Sequence, residues 1–80
     1  MPRYFFHVHD GYSSIDTDGT DLPSLAVARR EALQTAAGIL RDSDEHLWKG
    51  TPWRMEVADI AGNILLTLNF CAESTAPGIA

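Results

Sequence analysis

The chain has 80 residues, with six Lys plus Arg against eleven Asp plus Glu, for a formal net charge of −5. That length accommodates one small domain, and 45% hydrophobic with 21% charged residues is a globular mixture rather than a disordered one. A lone cysteine, Cys71, excludes an intrachain disulfide and a thiolate zinc ribbon, and net acidity disfavours unspecific nucleic-acid binding.

No apolar run approaches the roughly 18–20 residues of a membrane span, so no membrane partner is expected. The opening Met1–Phe6 is interrupted by His7 and His9 too early for a signal peptide, and one thiol suits a reducing, cytoplasmic setting.

The first element is a strand over Arg3–His9, rich in aromatic and β-branched residues and closed by the turn pair Asp10-Gly11. Period two places Tyr4, Phe6 and Val8 on one face and Phe5, His7 and His9 on the other. The face without imidazoles should meet the core. Ser13–Thr17 reads as a short partner strand, followed by a second turn at Asp18-Gly19. Asp10, Asp16, Asp18 and Asp21 make this stretch well solvated.

A helix follows over Leu25–Arg41, with Pro23 near its start and Ser24 placed to cap it. At about 100° per residue, Leu25, Ala28, Ala32, Ala36 and Ile39 form one stripe, flanked by Leu33 and Leu40. Small alanines permit close approach to a sheet. Arg29 projects into the same arc; its stem is expected to cover the core edge while the guanidinium pairs with Asp16, Asp18 or Asp21. Asp42–His46 should stop the helix, and Leu47–Pro52 reads as a connection carrying an exposed Trp48.

Two strands close the unit. Trp53, Met55 and Val57 alternate with Arg54, Glu56 and Ala58, then Ile64, Leu66, Leu68 and Phe70 alternate with Leu65, Thr67 and Asn69. Asp59–Asn63 between them suits a hairpin turn. Cys71–Ala80 has no period and reads as a flexible tail after a single domain over 1–70. The expected fold is α+β, in the order β-(β)-α-β-β, with one helix packed on one face of a small antiparallel sheet.

Met1–Gly11, Asp18–Leu25, Ala28–Ala32, Trp53–Val57, Asp59, Gly62 and the strand to Phe70 together resemble a family of small alphaproteobacterial proteins of unknown function. That resemblance implies no reaction, ligand or catalytic residue. A looser, fold-level resemblance is to antitoxins of the HicB type, where an acidic loop leads into an alanine-rich helix as Asp16–Ala37 does here. It implies a basic protein partner.

His7, His9 and Asp10 are the sharpest local chemistry. Two histidines at i, i+2 share a strand face and could share a metal, but a four-coordinate site needs further ligands, and His46 lies far off in a loop. A partly exposed sheet face is the preferred reading, so no metal and no cofactor are expected. Asp16–Asp21 departs from the helix–loop–helix calcium pattern: counting from Asp16, Gly19 is fourth rather than sixth and Val27 stands where a glutamate belongs. No nucleophile sits in a Gly-x-Ser-x-Gly context, and no catalytic residue is assigned.

Candidate binding residues are therefore His7, His9, Asp10, Arg29 and Trp48. With one helix to cover two sheet faces, and Phe5 and Leu65 on the uncovered one, the sequence points to a non-enzymatic interaction domain. A homo-oligomer is expected. A metal- or ligand-binding module at His7, His9 and Asp10 is the alternative.

Overall fold

A computed structural model describes residues 1–42 and 44–76, apart from the side chains of Asp44 and His46. Its elements are β1 (Arg3–His9), β2 (Ser13–Ser14), β3 (Thr20–Asp21), α1 (Leu25–Arg41), α2 (Asp44–Trp48), β4 (Trp53–Ala58) and β5 (Ile64–Phe70). The strands form one antiparallel sheet in the order β2-β1-β4-β5, with β3 also on the outer edge of β1. This is the small α+β architecture that the patterns imply.

Register aligns the apolar residues. Phe6 lies opposite Val57 and Val8 opposite Met55, while Val57, Met55 and Trp53 face Leu66, Leu68 and Phe70 on β5. On this face Met55 and Val57 are fully buried, and Tyr4 and Trp53 nearly so. The Trp53 and Phe70 rings meet edge to face with centroids 5.6 Å apart, a favoured quadrupole arrangement. The Trp53 indole N–H is buried without a hydrogen-bond partner among the described residues, which costs stability.

The Ser24 hydroxyl caps α1, accepting from the Val27 N–H at 3.3 Å. Ala28, Ala32 and Ala36 are completely buried; with only methyl groups between backbones, the helix can lie low over the sheet, where β4 runs centrally. The expected stripe needs narrowing. Leu33 is 54% exposed because it lies about 100° from the direction on which the three buried alanines centre, while Leu25, on the stripe but at the first residue of the helix, is 43% exposed.

Three further expectations are corrected. The strand read over Ser13–Thr17 is confined to Ser13–Ser14, and a second short strand, β3, pairs Asp21 with Arg3 and Thr20 with Tyr4. The polar stop after α1 holds at Arg41, but Asp44–Trp48 is a short helix rather than a turn and connection, so His46 is not in a loop. Finally, Ile64 does not continue the row of Leu66, Leu68 and Phe70. A bulge sets Ile64 opposite Ala58 while Leu66 faces Val57, leaving Leu65 as the extra residue.

Cys71–Ala76 has no regular structure and Cys71 is exposed; the remainder of the expected tail, 77–80, lies outside the described residues.

Candidate functional site

The face of the sheet away from α1 is polar. Its cross-strand rows run His9–Arg54–Asn69 and His7–Glu56–Thr67, with half-buried Phe5 against Ala58 at one end. The apolar second face expected from Phe5 and Leu65 is therefore largely a ladder of hydrogen-bonding groups.

His9 is its hub. Nδ1 lies 2.9 Å from the Ser13 hydroxyl on β2, and Nε2 lies 2.7 Å from Glu56 Oε1 on β4. An ionised carboxylate only accepts, so Nε2 carries a proton and neutral His9 accepts the Ser13 proton at Nδ1. The His9 and Glu56 side chains are only 20% and 23% exposed, and Arg54 Nε stands 3.7 Å from the other Glu56 oxygen. One imidazole thus ties β2 to β4 across β1.

His7 belongs to a separate network. Its Nδ1 accepts the Asp16 backbone N–H at 3.1 Å. The Asp16 carboxylate in turn accepts the Asp18 and Gly19 N–H groups on Oδ1, and the Phe6 N–H on Oδ2 at 3.1 Å. Phe6 sits between the β1 residues paired with β3 and those paired with β2, so Asp16 supplies the acceptor that a missing strand would have offered. Burial pushes the Asp16 carboxyl up, but the N–H groups of Gly19, Phe6 and Asp18, with the His7 ring, outweigh it and hold the group below its ordinary 3.8.

Gly19 closes this loop over the sheet. Its φ is +74°, and a Cβ there would stand 2.8 Å from both Arg3 Cγ and Phe5 Cε2; only glycine meets both conditions. Arg3 grips the same loop, donating to the Asp18 carbonyl at 2.6 Å and to the Asp21 carboxylate through Nη2 and Nε, each at 3.1 Å.

The outer edge of β5 is different. Nothing among the described residues pairs with it. Because the Phe6 N–H points outward from β1, the alternation of an antiparallel ladder, counted across the registers, turns the N–H and C=O groups of Thr67 and Asn69 outward from β5. The strand Ile-Leu-Leu-Thr-Leu-Asn-Phe carries no charge and no proline.

The candidate residues do not form one site. His7 and His9 share a face but serve different hydrogen-bond networks, and Asp10 accepts the Tyr12 N–H at 3.4 Å within its own turn. No group of three or more His, Cys, Asp or Glu among the described residues stands where it could hold a metal ion. Arg29 is exposed and makes no ion pair among the described residues. The expected bridge to Asp16, Asp18 or Asp21 is made by Arg3 at Asp21 instead, since Arg3 is on the strand that pairs with β3. Trp48 is 47% exposed at the end of α2. Sequence reasoning passed over Ser13 and Glu56. Ser13 could be found from the four-residue hairpin spacing to His9, whereas Glu56 is 47 residues away and has no local signal.

Comparison with known proteins adds the family. A family model described as a domain of unknown function, DUF6894, matches residues 3–71. The chain belongs to that family. The DUF6894 match begins on the first residue of β1 and ends one residue past β5, so the family unit is the whole sheet with its helices. No curated protein and no solved structure matches the chain. No helix among the described residues is long and apolar enough to cross a membrane.

Proposed function

We propose that this DUF6894 chain is a protein-interaction module that works as a homodimer, joined by antiparallel pairing of two β5 strands into one continuous sheet. The observation that carries the reading is the open, uncharged, seven-residue edge of β5. Such an edge is a template for another strand unless charge, proline or a covering segment blunts it.

Self-complementarity favours a second copy as the occupant. Pairing centred on Thr67 sets Thr67 against Thr67 and Leu66 against Leu68 of the other copy, so that from Leu66 to Leu68, clear of the bulge, each residue meets one of its own face. The outward Thr67 and Asn69 backbone groups lie in the bonded positions of that ladder. A chain of net charge −5 would repel its copy at most surfaces, but not along a strand free of charge. The added burial also supplements a core limited to one helix and one sheet face.

Light scattering across a dilution series tests this. The expected mass is twice the 8.8 kDa of one chain, falling toward the single-chain value on dilution. A constant single-chain mass up to millimolar concentration would remove the proposal. A heavier complex formed only with an added basic protein would transfer the role to such a partner.

A further inference from the structure

We infer that Ser13, His9 and Glu56 form a working acyl-transfer relay on the open face of the sheet, an activity beyond the interaction role and independent of it. The roles follow from geometry. Ser13 Oγ lies 2.9 Å from His9 Nδ1, the nucleophile-to-base contact, and His9 Nε2 lies 2.7 Å from Glu56 Oε1, the base-to-orienter contact. Glu56 fixes the proton on Nε2 and leaves Nδ1 free to take the hydroxyl proton. Arg54, 3.7 Å from the second Glu56 oxygen, holds the carboxylate from the other side.

Solvent access is divided as such a reaction requires. Ser13 is exposed on a two-residue strand, where an acyl donor can reach it, while His9 and Glu56 are mostly covered. The register maintains the spacing, because Ser13 is the cross-strand partner of His9 and Glu56 is its diagonal neighbour on β4. No loop movement is needed to assemble the three groups.

The substrate class is a small acyl ester with a good leaving group. Ser13 Oγ attacks the acyl carbon as its proton passes to His9 Nδ1. The bond to the leaving oxygen breaks, and that oxygen takes the proton back from His9. Water, deprotonated by the same nitrogen, then cleaves the acyl-Ser13 ester, releasing the acid and restoring the hydroxyl. No oxidant, reductant or metal enters. An open face adds base catalysis and orientation, so a gain of roughly a hundredfold over an unassisted serine is expected.

Reaction of the full chain with p-nitrophenyl acetate tests this. Expected are a burst of nitrophenolate, one acetyl group per chain, and a fragment spectrum placing it on Ser13 rather than on Ser14. S13A, an exposed change expected to leave the circular dichroism spectrum unaltered, should lower the rate roughly a hundredfold, and H9Q should match it. Glu56 acts through His9 as a positioning residue: E56Q should lower kcat and leave KM unchanged, with E56D restoring most of the loss. S13A reacting as fast as the native chain, or acetyl found on Lys49 or the N-terminus and not on Ser13, would overturn the assignment.

Discussion

Along its outer side β1 meets two short strands and an aspartate standing in for a third, and its own Arg3 forks onto the loop that carries them; along its outer side β5 meets nothing among the described residues. Both strands have seven residues and both bury alternate apolar side chains under the same helix. What separates them is the treatment of their outward backbone. On β1 it is paired with β2 and β3, and between them the Phe6 N–H is taken by Asp16. On β5 those groups have no backbone partner among the described residues. Where one edge is closed by so many specific contacts and the other is left uncharged, the uncharged edge is a place where another strand can be added.

The largest effect is expected at Gly19. Gly19→Ala should cost about 2–3 kcal/mol, since left-handed backbone and an overpacked contact act together. A urea midpoint lowered at unchanged slope would show it; a loss under about 0.5 kcal/mol would mean that the loop lifts off Arg3 and Phe5 freely. In a domain this small the predicted loss is a large part of the total.

Asp16 comes next. Asp16→Ala leaves the Phe6 N–H without its acceptor and should cost about 1–3 kcal/mol, with faster amide exchange at Phe6 than at Met55. Asp16→Asn sharpens the electrostatic part. The native carboxyl sits below its ordinary 3.8 because its N–H partners outweigh the effect of burial. Its contribution is therefore full above the unfolded value and is lost as pH falls from near 3.8 through the folded one. Urea midpoints in that interval should fall less steeply in Asp16→Asn than in the native chain. Some slope remains, because the Asn63 side chain and backbone hold Asp59 low as well. Equal slopes would place the acid sensitivity elsewhere.

A smaller effect is expected at Arg3, whose pair with Asp21 is nearly half exposed on both sides. Arg3→Ala should cost about 0.5–1 kcal/mol and the loss should shrink in high salt. Arg29→Ala, at an exposed residue with no ion pair among the described residues, is the control and should change stability by less than about 0.5 kcal/mol.

The guarded edge was the less legible of the two. The α1 bounds and the alternation of β1, β4 and β5 are written locally, in a serine cap, an alanine stripe and period-two runs. The region from Ser13 to Asp21 is not, because Asp16 acts as a substitute strand only once Phe6 and His7 are beside it. The helix wheel aims Arg29 at the loop of Asp16, Asp18 and Asp21, but it gives direction and not the neighbour across the sheet, and Asp21 is held by Arg3. The Leu65 bulge moved Ile64 out of the core row without any glycine to announce it. Likewise, His9 reads as half of a histidine pair until register brings Ser13 and Glu56 to its two nitrogens.

The open edge is tested most directly by charge exchange at Thr67, which the proposed two-fold axis sets against itself. Thr67→Glu and Thr67→Lys should each put like charges opposite one another and weaken self-pairing, giving the single-chain mass at concentrations where the native chain is a dimer. Because Glu56 is the β4 neighbour of Thr67, the urea midpoint of each variant is measured beside its mass. Mixed in equal amounts, the two variants should recover the dimer mass as a heterodimer. A mixture that stays at the single-chain mass while the native chain dimerises, or variants that dimerise alone as well as the native chain does, would contradict pairing through β5.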